Sequence, residues 1–171
     1  MTTDNEKLRE LVAAANQPPE APAHERKLQA LLVFRAGSRL FAAEARHVHE
    51  VVVSGSITPV PTARSYVLGI TLVRGRVVPV VSLGELLGFQ GSDEAAPTLP
   101  RLLIVREGTL EIAVMSDSTL GLFDIDVTDI GAGNRPHAEA IAGEVEFRGK
   151  LLVVLSVPDL LRMITSDRGA H

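Results

Sequence analysis

His47 and His49 stand one residue apart, and on a strand residues i and i+2 point to one face. Two imidazoles so placed are half of a metal site. The other half is missing. The 171 residues contain no cysteine, and His24 and His137 fall in segments that read as a linker and a loop. Structural zinc takes four ligands in a tetrahedron, so a His-based metal-binding protein is only the minor alternative and no cofactor is expected. Hydrolytic chemistry finds less. Serines, histidines and aspartates are present, but none stands in the G-x-S-x-G elbow that exposes a nucleophile. Gly131-Ala132-Gly133 lacks the rest of a phosphate-binding loop. No enzyme is expected.

Recognition chemistry fares better. Arg74 precedes Gly75 between two apolar runs, so its guanidinium is expected to project from a turn, ready for a bidentate grip on a carboxylate. The bland alternative is a solvated turn arginine, since exposed ion pairs contribute little. Glu50 follows Val48 at strand-like alternation, which puts the two on one face. Gly69 follows Ser65-Tyr66-Val67-Leu68, where a helix end favours a residue without Cβ.

What carries these residues is legible in the texture of the chain. Residues 3–15 read as a short amphipathic helix: Thr3 and Glu6 have capping-box spacing, and Leu8, Leu11, Val12 and Ala15 share a face. Asn16-Gln17-Pro18-Pro19-Glu20-Ala21-Pro22 cannot continue it, because proline lacks the amide proton. Residues 1–27 are therefore expected to be an appended helix and Pro-rich linker, and residues 28–171 the folded domain. From Leu28 four apolar runs meet a partner across a glycine: at Gly37-Ser38, Arg74-Gly75, Glu107-Gly108 and Arg148-Gly149. Glycine enters the positive-φ region that tight hairpins require, and four such hairpins indicate a barrel or sandwich.

An internal repeat strengthens that reading. Gly69–Gly88 lies over Gly143–Arg162 without a gap, matching Gly69 with Gly143, Arg74-Gly75 with Arg148-Gly149 and Ser82 with Ser156. Residues 31–37 likewise echo residues 102–108. Two copies of one unit imply two similar lobes. Each copy ends in a helix start, Ser82 with Glu85 and Ser156 with Asp159. Gly88 is placed to stop the first helix, and the second is expected to run through Leu160, Leu161 and Ile164.

Composition fits an ordinary globule: 46% hydrophobic, 22% charged, aromatics only 4%, with no Trp and a single Tyr, Tyr66. The core must be built from Val, Leu, Ile and Ala. A net charge of −4 without a basic patch argues against nucleic acid. No apolar run approaches the ~20 residues that cross a bilayer, and the N-terminus does not read as a secretory signal. A cytoplasmic location without direct membrane insertion is expected.

The order Glu50-Val51, Ile57-Thr58-Pro59-Val60-Pro61, a short helix, then Gly69, Arg74-Gly75, Pro79-Val80-Val81 and Leu83 resembles the signature of CheW-type chemotaxis coupling domains. Ile112-Ala113-Val114-Met115-Ser116-Asp117-Ser118-Thr119 is similar to a second family motif, and the likeness spans residues 28–164. It implies an all-β fold of two interlocked SH3-like five-stranded β-barrels with short helices and a C-terminal helix. It implies a non-enzymatic adaptor that bridges methyl-accepting chemoreceptor cytoplasmic tips and the regulatory domain of a CheA-type histidine kinase in a two-component array. A divergent scaffold binding only one of these partners, in a non-flagellar pathway, is the alternative within the class. By the same resemblance Arg74 matches an arginine of receptor coupling, while Val48, Glu50 and Gly69 match positions of the receptor groove and Gly75 permits the turn. Ser116 and Thr119 stand where valines are usual, which is expected to alter the second lobe's contact surface.

Overall fold

The computed structural model describes residues 26–89, 99–128, 130 and 138–166. The expected helix at 3–15, its linker, most of the loop at 90–100 and the loop at 131–136 lie outside the described residues. The described residues form ten strands and two helices, in the order β1 (Leu28–Ala36), β2 (Arg39–Glu44), β3 (Val48–Val53), β4 (Val67–Val73), β5 (Arg76–Val81), α1 (Leu83–Leu86), β6 (Arg101–Glu107), β7 (Leu110–Ser116), β8 (Ser118–Asp126), β9 (Ile141–Phe147), β10 (Lys150–Leu155) and α2 (Val157–Ser166). Among them no helix is long and apolar enough to cross a membrane.

The four predicted hairpins form, and their turns come in two kinds. Gly37 and Gly108 take φ of 61° and 59° at the first central position. Arg74-Gly75 and Arg148-Gly149 take positive φ at both, 48° and 80° in one, 52° and 74° in the other. Positive φ at both positions is the pattern that matches the twist of two-residue hairpins. The β6–β7 turn sits one residue later than expected, on Gly108-Thr109, because Glu107 still pairs with Leu110.

The strands assemble into two five-stranded sheets ordered β8-β1-β2-β10-β9 and β3-β6-β7-β5-β4. Each is an SH3-like barrel, curled so that side chains of its edge strands meet. By the repeat, β1 to β5 correspond to β6 to β10. Replacing every strand by its mate converts one order into the other. Each barrel thus takes its first hairpin from one copy and three strands from the other, joined by parallel pairing of β2 with β10 and β5 with β7. Neither copy can close a barrel alone, so the lobes interlock.

Burial explains the continuous apolar runs. Along β1, Leu31 and Val33 point into the first barrel, while Leu32 and Phe34 point into a core shared between barrels. Val81, Val105 and Val114 reach that shared core from the second barrel, as do Leu83 and Leu86 of α1 and Leu160, Leu161 and Ile164 of α2. A buried Leu or Val contributes roughly 1.5–3 kcal/mol by leaving water, so this shared core is what fuses the lobes. The helix boundaries agree with the predicted signals. Ser82 Oγ accepts the Glu85 N–H at 3.5 Å, and Gly88 takes φ 68° while Phe89 N–H donates to Gly84 O at 2.8 Å. That last bond is a Schellman closure. Ser156 Oγ donates to the Asp159 carboxylate at the start of α2.

The resemblance implied a short helix between Pro61 and Gly69, and this is corrected: residues 61–66 form turns and β4 begins at Val67. Ser116 is also corrected. It is fully buried, with Oγ donating to Arg101 O at 3.3 Å, so it lies under the second barrel and not on a contact surface.

Candidate partner-binding edge

Arg74 is exposed at 76% of its side chain, as a turn residue should be, and its guanidinium is already engaged. Nε donates to Glu50 Oε2 at 2.7 Å. The two residues singled out from sequence thus meet across the gap between β3 and β4, the edge strands of the second barrel. Glu50 is only 13% exposed and faces a second cation: Arg76 Nη2 lies 3.5 Å from its Oε1. Arg76 Nη1 also donates to both carboxylate oxygens of Glu111, at 2.8 and 2.6 Å. Two carboxylates and two guanidiniums form one neutral network at the mouth of the barrel.

Strand direction puts them there. Val78, Val80 and Ala113 point into the second barrel, so by period-two alternation Arg76 and Glu111 point the same way, at the barrel's end. Arg76 and Glu111 were not singled out from sequence, though a charged residue in register with inward apolar positions was the available signal. Their pairing was hidden by a separation of 35 positions in the chain.

Val48 and Glu50 do not share a face. The register slips between them: Val48 pairs with Val105, which points into the inter-barrel core, while Glu50 pairs with Ile104, which points into the second barrel. A β-bulge adds one residue to one strand and flips the facing of the residues beyond it. Val48 accordingly packs against the shared core. The histidines part because β3 begins only at Val48, between them. His47 sits buried in a 3₁₀ turn with Nδ1 2.8 Å from Glu107 Oε2, whereas His49 is exposed with Nδ1 3.4 Å from Arg106 Nη2. Among the described residues no three candidate ligands gather into a metal site.

Gly69 is a strand residue, not a helix end. Thr58 and Ile70 exchange backbone hydrogen bonds beside it, at 2.8 and 2.9 Å, so the Ile57-Thr58 segment crosses over its Cα. A Cβ at Gly69, whose φ is 147°, would lie 2.3 Å from Thr58 O. Gly69 is buried under that segment and shapes the edge without lining its open part. Gly75, with φ 80°, has open space around it and serves the turn.

The open part is a cleft of about 290 Å³ between β3 and β4, lined by Val52, Val53, Thr71, Leu72, Val73 and Arg74 among others. Beside it Leu72 and Val77 face each other in register and stand 69% and 66% exposed. An apolar strip ending in an exposed arginine suits an amphipathic segment bearing a carboxylate. It offers binding, with no paired nucleophile and base among the described residues of this edge.

The family model for the CheW-like domain matches residues 30–165. Chemotaxis protein CheW of Thermotoga maritima is 26% identical over 141 residues, covering 81% of this chain and 91% of that protein. Protein FrzA of Myxococcus xanthus is 33% identical over 130 residues, covering 74% and 80%. The crystal structure of the scaffolding protein TtCheW from Thermoanaerobacter tengcongensis superposes with a TM-score of 0.65 at 22% identity, over 78% of this chain and 88% of that one. The likeness covers both barrels and the bulged edge on which Glu50 and Arg74 meet. This chain belongs to the CheW-like domain family, a non-enzymatic scaffold of chemosensory signalling.

Proposed function

We propose that this chain couples the cytoplasmic tips of methyl-accepting chemoreceptors to the regulatory domain of a CheA-type histidine kinase, and that the β3–β4 edge of its second barrel is the receptor contact. The observation that carries this is the meeting of Arg74 and Glu50 beside an exposed apolar cleft. A receptor helix would lay apolar side chains along Leu72 and Val77 and offer a carboxylate to Arg74. Coupling then needs only equilibrium binding: a scaffold that holds receptor and kinase in register lets the conformation of one bias the other. The protein would work at membrane-associated receptor arrays through these contacts, without inserting into the bilayer.

The test is Arg74→Glu, measured by binding to a soluble receptor-tip fragment and to the kinase regulatory domain. The residue sits on an exposed turn, so its replacement leaves no cavity. Disrupting one partner of a charge pair desolvated at an interface costs about 2–5 kcal/mol, a loss of tens- to thousands-fold in affinity. Arg148→Glu, at the equivalent turn of the first barrel, is the control and should leave receptor affinity unchanged. Unimpaired receptor binding by Arg74→Glu, with circular dichroism unchanged, removes Arg74 from the interface. Loss of binding to one partner alone assigns this edge to that partner.

A further inference from the structure

The two cations around Glu50 are not equivalent. Arg74 is 76% exposed and holds Glu50 through Nε. Arg76 is 41% exposed and anchored by both oxygens of Glu111, itself only 14% exposed. Arg74 can therefore swing away while Arg76 cannot. When it does, Glu50 keeps a neighbour of opposite charge at 3.5 Å. Without Arg76, releasing Arg74 would strand a largely buried carboxylate, and an uncompensated buried charge is strongly destabilising.

We propose that Arg76, anchored by Glu111, is a positioning residue that frees Arg74 for a partner carboxylate by remaining as the counter-charge of Glu50. This rests on the reading of Arg74 as the receptor contact and adds a competition to it. Glu50 and the partner's carboxylate contend for one guanidinium, and Arg76 sets how strongly Glu50 holds on. Glu111 governs Arg76 in turn, because a bidentate carboxylate draws the guanidinium away from Glu50.

The consequence is a pair of effects of opposite sign from the two ends of one salt bridge. Arg76→Gln leaves Arg74, among the described residues, as the sole cation on Glu50, so affinity for a receptor-tip fragment should fall about five- to ten-fold. Glu111→Gln removes the anchor, turns Arg76 fully onto Glu50 and loosens Arg74, so affinity should rise about two- to five-fold. Neutralising Glu50 in the first background, Glu50→Gln with Arg76→Gln, should restore binding. Damage to a structural brace cannot give this pattern, since losing either end of a brace weakens the edge alike.

The experiment measures binding of full-length wild type, Arg74→Glu, Arg76→Gln, Glu111→Gln and the double variant to the same receptor-tip fragment, with thermal melting of each. Opposite shifts for Arg76→Gln and Glu111→Gln, with rescue in the double variant, establish the competition. Equal weakening by both, or no rescue, overturns it and leaves Arg76 as a brace. If Arg74→Glu abolishes binding while the other variants match wild type, the competition falls and the receptor reading stands. If Arg74→Glu itself binds normally, both fall.

Discussion

The turns Arg74-Gly75 and Arg148-Gly149 share sequence, backbone conformation and place in the strand order, yet their arginines meet different chemistry. Arg74 reaches the Glu50 carboxylate. Arg148 lies over aromatic rings, 4.9 Å from the centroid of Phe123 and 5.2 Å from that of Phe147. Register explains the difference. Ile104 pairs with Glu50, and its repeat mate Val33 pairs with Gly121. Both barrels carry a bulge at this point, but the first barrel has a glycine where the second has the carboxylate. Arg76 and Glu111 of the second barrel correspond to Lys150 and Leu40 of the first. Where the second barrel has Val52 and Val73, the first has Phe123 and Phe147, whose rings meet edge to face at 5.0 Å. Phenylalanines close the seam of one barrel; valines leave a cleft in the other, rimmed by ions. One duplicated frame therefore carries a seam specialised for packing and a seam specialised for contact.

The widest separation between the seams should appear in stability. Phe123→Ala removes a ring that packs on Phe147, on the first-barrel core and under Arg148. Full truncation of a core Phe costs about 3–5 kcal/mol. Because Phe123 is half-buried, about 2–3 kcal/mol is expected on the same scale. Its repeat mate lines an open cleft already, and Val52→Ala should cost about 1 kcal/mol or less. Denaturant unfolding of the two variants checks this, and receptor affinity should be kept by Phe123→Ala where folded. Equal costs would mean that the two seams are alike in energy and that the cleft is incidental.

A smaller contrast lies between the helix starts. Ser82 caps a four-residue helix through a 3.5 Å bond, close to the limit of a hydrogen bond. Ser156 heads a ten-residue helix with four buried side chains. Ser82→Ala should cost about 0.5 kcal/mol, the low end for a lost cap, and Ser156→Ala about 1 kcal/mol, for the hydrogen bond its hydroxyl donates to Asp159. Aspartate should be tolerated at 82, where it can accept the same N–H, but should cost stability at 156, where a carboxylate would replace the hydroxyl that donates to Asp159. Thermal melts of the four variants decide; a larger loss at Ser82 than at Ser156 would reverse the order.

What the sequence disclosed about the fold is what short-range chemistry dictates. Glycine-bearing turns announced four hairpins, the repeat announced two lobes, and Ser82 and Gly88 bounded α1. What it concealed depends on residues far apart. The bulge at Val48–Glu50 has no compositional mark, so alternation placed those two on one face. Gly69 looked like a helix stop because the segment that crosses it, Ile57-Thr58, reaches it only through the fold. Arg74 and Glu50 were both named as candidates, but not as partners, since they stand 24 positions apart in the chain.

The smallest effect expected comes from removing residues 1–24. β1 is held from its first residues by the far edge of the first barrel. Val127 N–H donates to Lys27 O at 2.9 Å, Lys27 N–H donates to Thr128 Oγ1 at 2.9 Å, and Leu28 pairs with Asp126. Asp126 in turn accepts the Thr128 hydroxyl and amide; these bonds, with Arg26 nearby, hold its pKa below the ordinary carboxylate value. A cut at residue 24 keeps every one of these groups, Arg26 included. The prolines at 18, 19 and 22 separate the segment 3–15 from this anchor, and a chain of such composition cannot transmit a helix across it. The truncated protein should therefore melt within about a degree or two of the full chain, since a 1 kcal/mol change moves the midpoint by roughly 2–4 °C in a domain of about 150 residues. A fall of several degrees would instead place Leu8, Leu11 and Val12 against one of the barrels. Their candidate seat would then be the exposed apolar row of Leu120 and Leu122 on β8, the edge strand beside which β1 begins.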